Sequence, residues 1–333
     1  MERFYRTAIL LTLAVSLAAP GVAAARKNPE HDPDLIGNRD VGKGINLYSI
    51  DKEIGLGKEM AQETERQAKM VDDGAVTEYV NRLVQTVAHN SDAKVPFTVK
   101  VIDSDEVNAF ALPGGFMFVN TGLLLKADNE AELAGVLAHE IAHVAARHGT
   151  RQATRGQLVN WGTIPLIFMG GWAGYAVRQA VGLAVPVGFM KFSRNMETEA
   201  DLLGLQYMYK AGYDPTEFVN FFERIQTLEK NKPGAVSKLF STHPMTGDRI
   251  RAAQKTIQQD LKARPQYVVD TSEFHNVRTR LMMLGNGLKL REAPGRPVLH
   301  TRPSASVDRS AQADGNNKTD DGDSGRPRLK RHE

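Results

Sequence analysis

Asn129-Glu-Ala-Glu-Leu-Ala-Gly-Val-Leu-Ala-His139-Glu140-Ile-Ala-His143-Val-Ala-Ala-Arg-His148-Gly149 is the stretch from which the rest of the chain is read. Leu133, Val136, Leu137, Ile141 and Val144 recur at helical spacing and form an apolar stripe. Asp128 or Asn129 can cap the start, and Glu132, three residues after Asn129, gives the arrangement of a capping box. Gly149 is the expected stop, and His148 in the last turn suits the negative end of the helix dipole. One helix is therefore expected from Asn129 through His148.

Inside that helix lies His139-Glu140-x-x-His143. Residues at i and i+4 share a helix face, so both imidazoles can reach one metal ion. Glu140 projects toward the same cleft. Zinc lowers the pKa of a bound water toward neutrality, and a carboxylate beside it can take the proton. This is the chemistry of peptide hydrolysis, provided the chain supplies a third ligand. The bland alternative is a chance match on a core helix.

Composition narrows the setting. The chain has 333 residues, room for one large domain or two modest ones, and 41% of them are hydrophobic. A net charge of +3 and the lack of any nucleic-acid signature argue against a nucleic-acid partner. There is no cysteine, so disulfide and thiolate chemistry are excluded and any transition metal must be held by histidine and carboxylate.

Residues 1–25 read as a cleaved signal peptide: Arg3 and Arg6, an apolar run from Ala8 to Ala19, then small residues up to Ala25. Export to a bacterial periplasm is the matching expectation. Residues 26–48 are polar and read as an extended lead-in, and the main domain is expected over 49–290. Helices are expected near Ser49–Val71 and Val76–Ala88. Strands are expected at Phe97–Ile102, Asn108–Leu112 and Phe116–Asn120, with Pro113-Gly114-Gly115 as the turn between the last two. The resulting class is α+β, mainly helical, with a small β-sheet. The free edge of the hairpin, at Asn108, Ala109 and Phe110, is a candidate for holding an extended peptide by main-chain hydrogen bonds. Residues 158–190 are apolar and glycine-rich but broken by Pro165, Arg178 and Pro186. They read as a cleft-covering segment or one in peripheral contact with a membrane surface, against a buried core hairpin. Residues 291–333 are expected to be a disordered tail, since Ser304–Glu333 lacks aromatics and is rich in Asp, Ser, Gly, Asn, Lys and Arg.

A second long helix is expected over Ser193–Lys210, with Ser193 as cap. Glu197 and Asp201 are four apart and share a face. Glu197 fits the third ligand that a two-histidine zinc site needs, and Asp201 fits the carboxylate that holds a ligating histidine by its other nitrogen. Glu199 is the alternative ligand, about 200° round the helix from Glu197. Further on, Thr242-His243-Pro244 and Asp248-Arg249 lie in a turn-rich stretch. His243 or Arg249 could stabilise the oxyanion of a tetrahedral intermediate, although a structural salt bridge is the commoner fate of such an arginine.

Four motifs in one order then carry a resemblance: Asn108-Ala-Phe-Ala-Leu-Pro-Gly-Gly115, Glu132 to His143, Ser193-Arg194 with Glu197-x-x-x-Asp201, and Thr242-His-Pro with Asp248-Arg249. From about Ile54 to Leu284 the chain resembles the zinc metallopeptidase family that includes HtpX, the CAAX prenyl endopeptidase and the periplasmic beta-barrel assembly-enhancing protease. The resemblance implies a gluzincin-like peptidase domain. One Zn2+ per chain would lie on His139, His143 and Glu197, with Glu140 as general base and Asp201 steadying the first histidine. It also implies that His243 stands where relatives place a histidine able to approach the metal and restrain activity. Members degrade misfolded or stalled envelope proteins, which makes such proteins the expected partners. Where the assembly-enhancing protease carries a carboxy-terminal tetratricopeptide array, this sequence is expected to carry only the disordered tail. A competing expectation is a chaperone-like protein that holds unfolded or assembling envelope proteins with little proteolysis.

Overall fold

The computed structural model describes residues 29–159, 192–231 and 242–292, and side chains for these except 156–159 and 286–292. The signal peptide, most of the apolar 158–190 stretch and nearly all of the 291–333 tail lie outside the described residues. The described residues up to Leu288 belong to one compact unit by backbone proximity.

The first two helices, α1 (Ile50–Gln67) and α2 (Gly74–His89), start where the sequence provides caps. Ser49 accepts from the amide of Lys52, and Asp73 accepts from that of Val76. α1 ends four residues short of the expected Val71, because Met70 leaves the helix to form a bridge with Ile102. Three strands follow: β1 (Thr98–Ile102), β2 (Ala109–Leu112) and β3 (Phe116–Asn120). Their order is β1-β3-β2, with β1 parallel and β2 antiparallel to β3. Gly114 (φ 77°) and Gly115 (φ 89°) turn the β2–β3 hairpin through left-handed backbone that side chains rarely adopt.

Next come α3 (Thr121–Lys126), α4 (Glu130–Ala145) and α5 (His148–Val159). α4 is the helix read from the opening stretch. Asn129 Oδ1 accepts from the Glu132 amide at 2.9 Å, while Glu132 Oε2 accepts from the Asp128 amide at 2.7 Å. Every residue of α4 is buried. It is the central element, packed by α2, by β2, and by α6 (Arg194–Lys210) and α7 (Thr216–Asn231). α6 crosses it most intimately, and Gly204 permits this. A Cβ there would sit 3.0 Å from the His139 amide nitrogen and 3.1 Å from its Cα. Finally α8 (Gly247–Gln259) packs on α6, and α9 (Ser272–Glu292) closes the described chain.

One boundary departs from the sequence expectation. The helix does not run through His148 to a stop at Gly149. It ends at Ala145, and Gly149 lies inside α5. The break sits at Arg147, whose φ of 54° is left-handed. Arg147 Nε donates to buried Glu53 on α1 at 2.7 Å, and its Nη2 donates to the carbonyl of Tyr48 at 2.6 Å. A long-range ion pair thus enforces a conformation that local sequence does not favour. The polar lead-in is also anchored: Arg39 donates to buried Asp92 at 2.9 Å, and Asn46 donates to Thr150 at 2.9 Å.

Candidate metal centre

His139 and His143 stand one turn apart on α4, with Nε2 atoms 3.0 Å from each other. α6 brings Glu197 against them, its oxygens 3.6 Å from His139 Nε2 and 3.7 Å from His143 Nε2. The segment before α8 adds His243, whose Nδ1 is 3.3 Å from His139 Nε2 and 3.1 Å from Glu197 Oε1. All four side chains are buried, and among the described residues they form the one group able to hold a metal. The donor set fits zinc. Zinc–nitrogen and zinc–oxygen bonds of about 2.0–2.1 Å place tetrahedral ligands about 3.4 Å apart, close to the separations seen here. Because His243 supplies a fourth donor, the arrangement is the closed one.

Other groups hold these four. Asp201, one turn after Glu197, has Oδ1 3.1 Å from His139 Nδ1. Arg249 forks onto Asp201 through Nε and Nη2, both at 2.7 Å. Its Nη1 donates to the Pro244 carbonyl at 2.8 Å and lies 2.9 Å from Glu197 Oε2. The nitrogens of Arg249 thus meet two acids and a carbonyl, the salt-bridge arrangement that the sequence offered beside the oxyanion role. Glu199, the alternative ligand, points elsewhere and meets His148 and Arg151. Phe192 stacks on the His143 ring at 4.0 Å between centroids.

Glu140 is buried beside the cluster. Its Oε2 accepts from the Ala111 amide of β2 at 3.2 Å. Its Oε1 accepts no hydrogen bond among the described residues and faces His243 Nε2 at 3.4 Å. Burial raises its pKa above the usual carboxylate range, only partly offset by the charges of His243 and His139. Burial also works against an ionised Glu197, but the surrounding imidazoles, His243 first, outweigh it and hold that carboxyl well below the usual range. His139 is driven down by burial and up by Asp201 and Glu197; the acids win and raise it to about 9.

Strand β2 forms an edge of the sheet beside α4. The Asn108 carbonyl accepts from the Asn120 amide, so the alternation of an antiparallel ladder turns Asn108, Phe110 and Leu112 toward β3. The outward main-chain groups are those of Ala109 and Ala111. Of the three edge positions expected from sequence, Asn108 and Phe110 turn their backbone groups to β3 and Ala109 turns its own outward. Sequence reasoning missed Ala111, Phe192 and the contacts of His148; Ala111 alone was within its reach, by extending the strand alternation one step.

The comparisons agree with this geometry. Residues 74–257, just over half of the chain, match Peptidase family M48. The chain belongs to peptidase family M48. That is a family of zinc metalloendopeptidases, and the buried His139, His143 and Glu197 are consistent with its HExxH-plus-glutamate site. The chain is similar to the beta-barrel assembly-enhancing protease of Escherichia coli, 29% identical over 296 residues, covering 86% of this chain and 59% of that protein. The Yersinia pestis protein of that name is 31% identical over 259 residues, covering 75% of this chain and 52% of that one. The mitochondrial metalloendopeptidase OMA1 of Schizosaccharomyces pombe is 33% identical over 185 residues, covering 55% of this chain and 53% of its own length. The chain thus spans between half and three-fifths of these relatives.

Proposed function

We propose that this M48 chain is an exported zinc endopeptidase that cleaves misfolded or stalled proteins of the bacterial envelope, and that it works in the periplasm. The observation that carries the activity is the convergence of four buried donors on one point, with Glu140 beside them and one oxygen unspent. The names of the bacterial relatives support the envelope setting. Among the described residues no helix is long and apolar enough to cross a membrane. Peripheral membrane contact through 158–190 remains part of the reading.

One zinc ion would be held by His139, His143 and Glu197, supplying an acidified water and a polarised carbonyl. Glu140 takes the water's proton and passes it to the leaving amine. Its raised pKa suits a group that must hold that proton between the two steps. The outward backbone of Ala109 and the carbonyl of Ala111, whose amide is held by Glu140, pair with the extended substrate. Asp201, pinned by Arg249, keeps His139 oriented. His243, whose Nδ1 lies beside His139 and Glu197, would supply a fourth donor to the ion at rest and would have to swing aside for substrate.

The test is Glu140→Gln in the mature protein. Zinc content and fold should persist, while cleavage of unfolded casein falls by about a hundredfold or more, the range of a lost general base. Cleavage at the parent rate would refute this mechanism. The closed position of His243 also favours a second reading, a holdase that rarely cuts; suppression of aggregation surviving undiminished in Glu140→Gln would support it.

A further inference from the structure

If His143 binds zinc through Nε2, its other nitrogen must be held by something. His143 Nδ1 lies 2.8 Å from Nδ1 of His148. His148 has no exposed surface, and its Nε2 lies 3.2 Å from Glu199 Oε2. Arg151 Nη1 donates to that same oxygen at 3.2 Å and to the Ala146 carbonyl at 3.2 Å.

The heavy atoms allow one consistent set of protons. With Nε2 turned to the metal cluster, neutral His143 carries its proton on Nδ1. His148 accepts it with Nδ1 and so carries its own on Nε2, which Glu199 accepts. Each polar atom in the line then has a partner of the right kind.

This contact exists only because the helix breaks. On a continuous helix, residues five apart stand about 140° from each other and cannot face one another. The left-handed Arg147 ends α4 and starts α5 in a new direction, which folds the His148 ring back onto His143, with centroids 4.8 Å apart.

We propose that His148 is a positioning residue for the zinc site: it fixes the tautomer and ring orientation of His143, and Glu199 with Arg151 fixes His148 in turn. The inference rests on the reading of His143 as a ligand. It gives each histidine ligand its own holder, but not of the same kind. His139 has an anion in direct reach. His143 has a neutral ring with the anion one step removed. That spacing avoids a further buried carboxylate beside a cluster that already contains Glu197, Asp201 and Glu140, where an added charge would carry a large desolvation cost.

The test compares His148→Leu with His148→Asn in the full chain. Asparagine and leucine have similar shapes, but asparagine keeps an acceptor near the place of Nδ1. Zinc affinity is read by competition with a chromophoric chelator, and site geometry by the visible spectrum of the cobalt-substituted protein. His148→Leu should weaken zinc by about 10–100-fold, and His148→Asn should stay within about threefold of the parent. The cobalt spectrum should change in the first and not in the second. Equal affinities for all three proteins, or equal losses in the two variants, would overturn the proposal. Should His148→Leu not fold, Glu199→Ala approaches the same line from its half-buried end. It should weaken zinc and Glu199→Gln should restore it, while identical affinities overturn the proposal. A parent that takes up no zinc would instead refute the zinc-site reading itself.

Discussion

Replacing Arg249 by methionine removes a guanidinium that two buried acids depend on. The substitution keeps most of the aliphatic volume but leaves Asp201 and Glu197, with side chains 4% and 3% exposed, without their shared cation. Burial disfavours an ionised Asp201, and the fork from Arg249 together with His139 more than offsets this, holding its pKa below the usual range. Breaking such a pair from one side costs about 3–5 kcal/mol, because the abandoned charge stays buried. In a domain of this size 1 kcal/mol corresponds to roughly 2–4 °C, so the unfolding temperature should fall by about 6–20 °C. The assay is thermal unfolding by circular dichroism with chelator and with added zinc. The deficit should be larger with chelator, where no metal charge compensates the two acids. It should be full at neutral pH and shrink below about pH 4. A carboxyl with a lowered folded pKa contributes stability above its unfolded value, and that contribution is lost as pH falls through the folded one. Arg249→Lys should be intermediate, since it keeps the charge but not the fork. An Arg249→Met protein unfolding within about 2 °C of the parent in both conditions would refute the reasoning.

Three further outcomes follow from the same geometry. His243→Ala should keep zinc on the remaining donors and raise casein cleavage several-fold, because it empties the fourth corner; lower cleavage would show that His243 assists rather than restrains. Zinc binding should release about one proton between pH 6.5 and 8, since metal-free His139, raised to about 9, is protonated there and a ligand cannot be. Affinity should therefore climb about tenfold per pH unit, and calorimetry in buffers of different ionisation enthalpy would contradict this by showing no buffer dependence. Gly204→Ala should destabilise by about 1–3 kcal/mol in urea unfolding, because its Cβ would press on the backbone of α4 at His139; an unchanged midpoint would mean the two helices separate at little cost.

The class of fold and much of the centre were legible in the sequence because both depend on spacing within single elements. His139 and His143 share a face of one helix, as do Glu197 and Asp201, and alternation with Pro-Gly-Gly marks the β2–β3 hairpin. Choices that depend on packing between elements were not legible. The sequence offers Arg249 both an oxyanion and a salt bridge, and the fork onto Asp201 forms only because α8 is seated on α6.

The end of α4 makes the same point more sharply. Gly149 carries the usual stop signal, yet the chain turns two residues earlier at an arginine. That turn is held by Glu53, which lies far off in sequence on α1. It also decides which way His148 faces, and hence what holds His143. α1 lies outside residues 74–257, the span that matches the family. The ligand motif is thus local, but the orientation of its second histidine depends on a helix that the motif does not contain. Truncating the chain to the matched span should therefore leave both histidines in place and still loosen the metal.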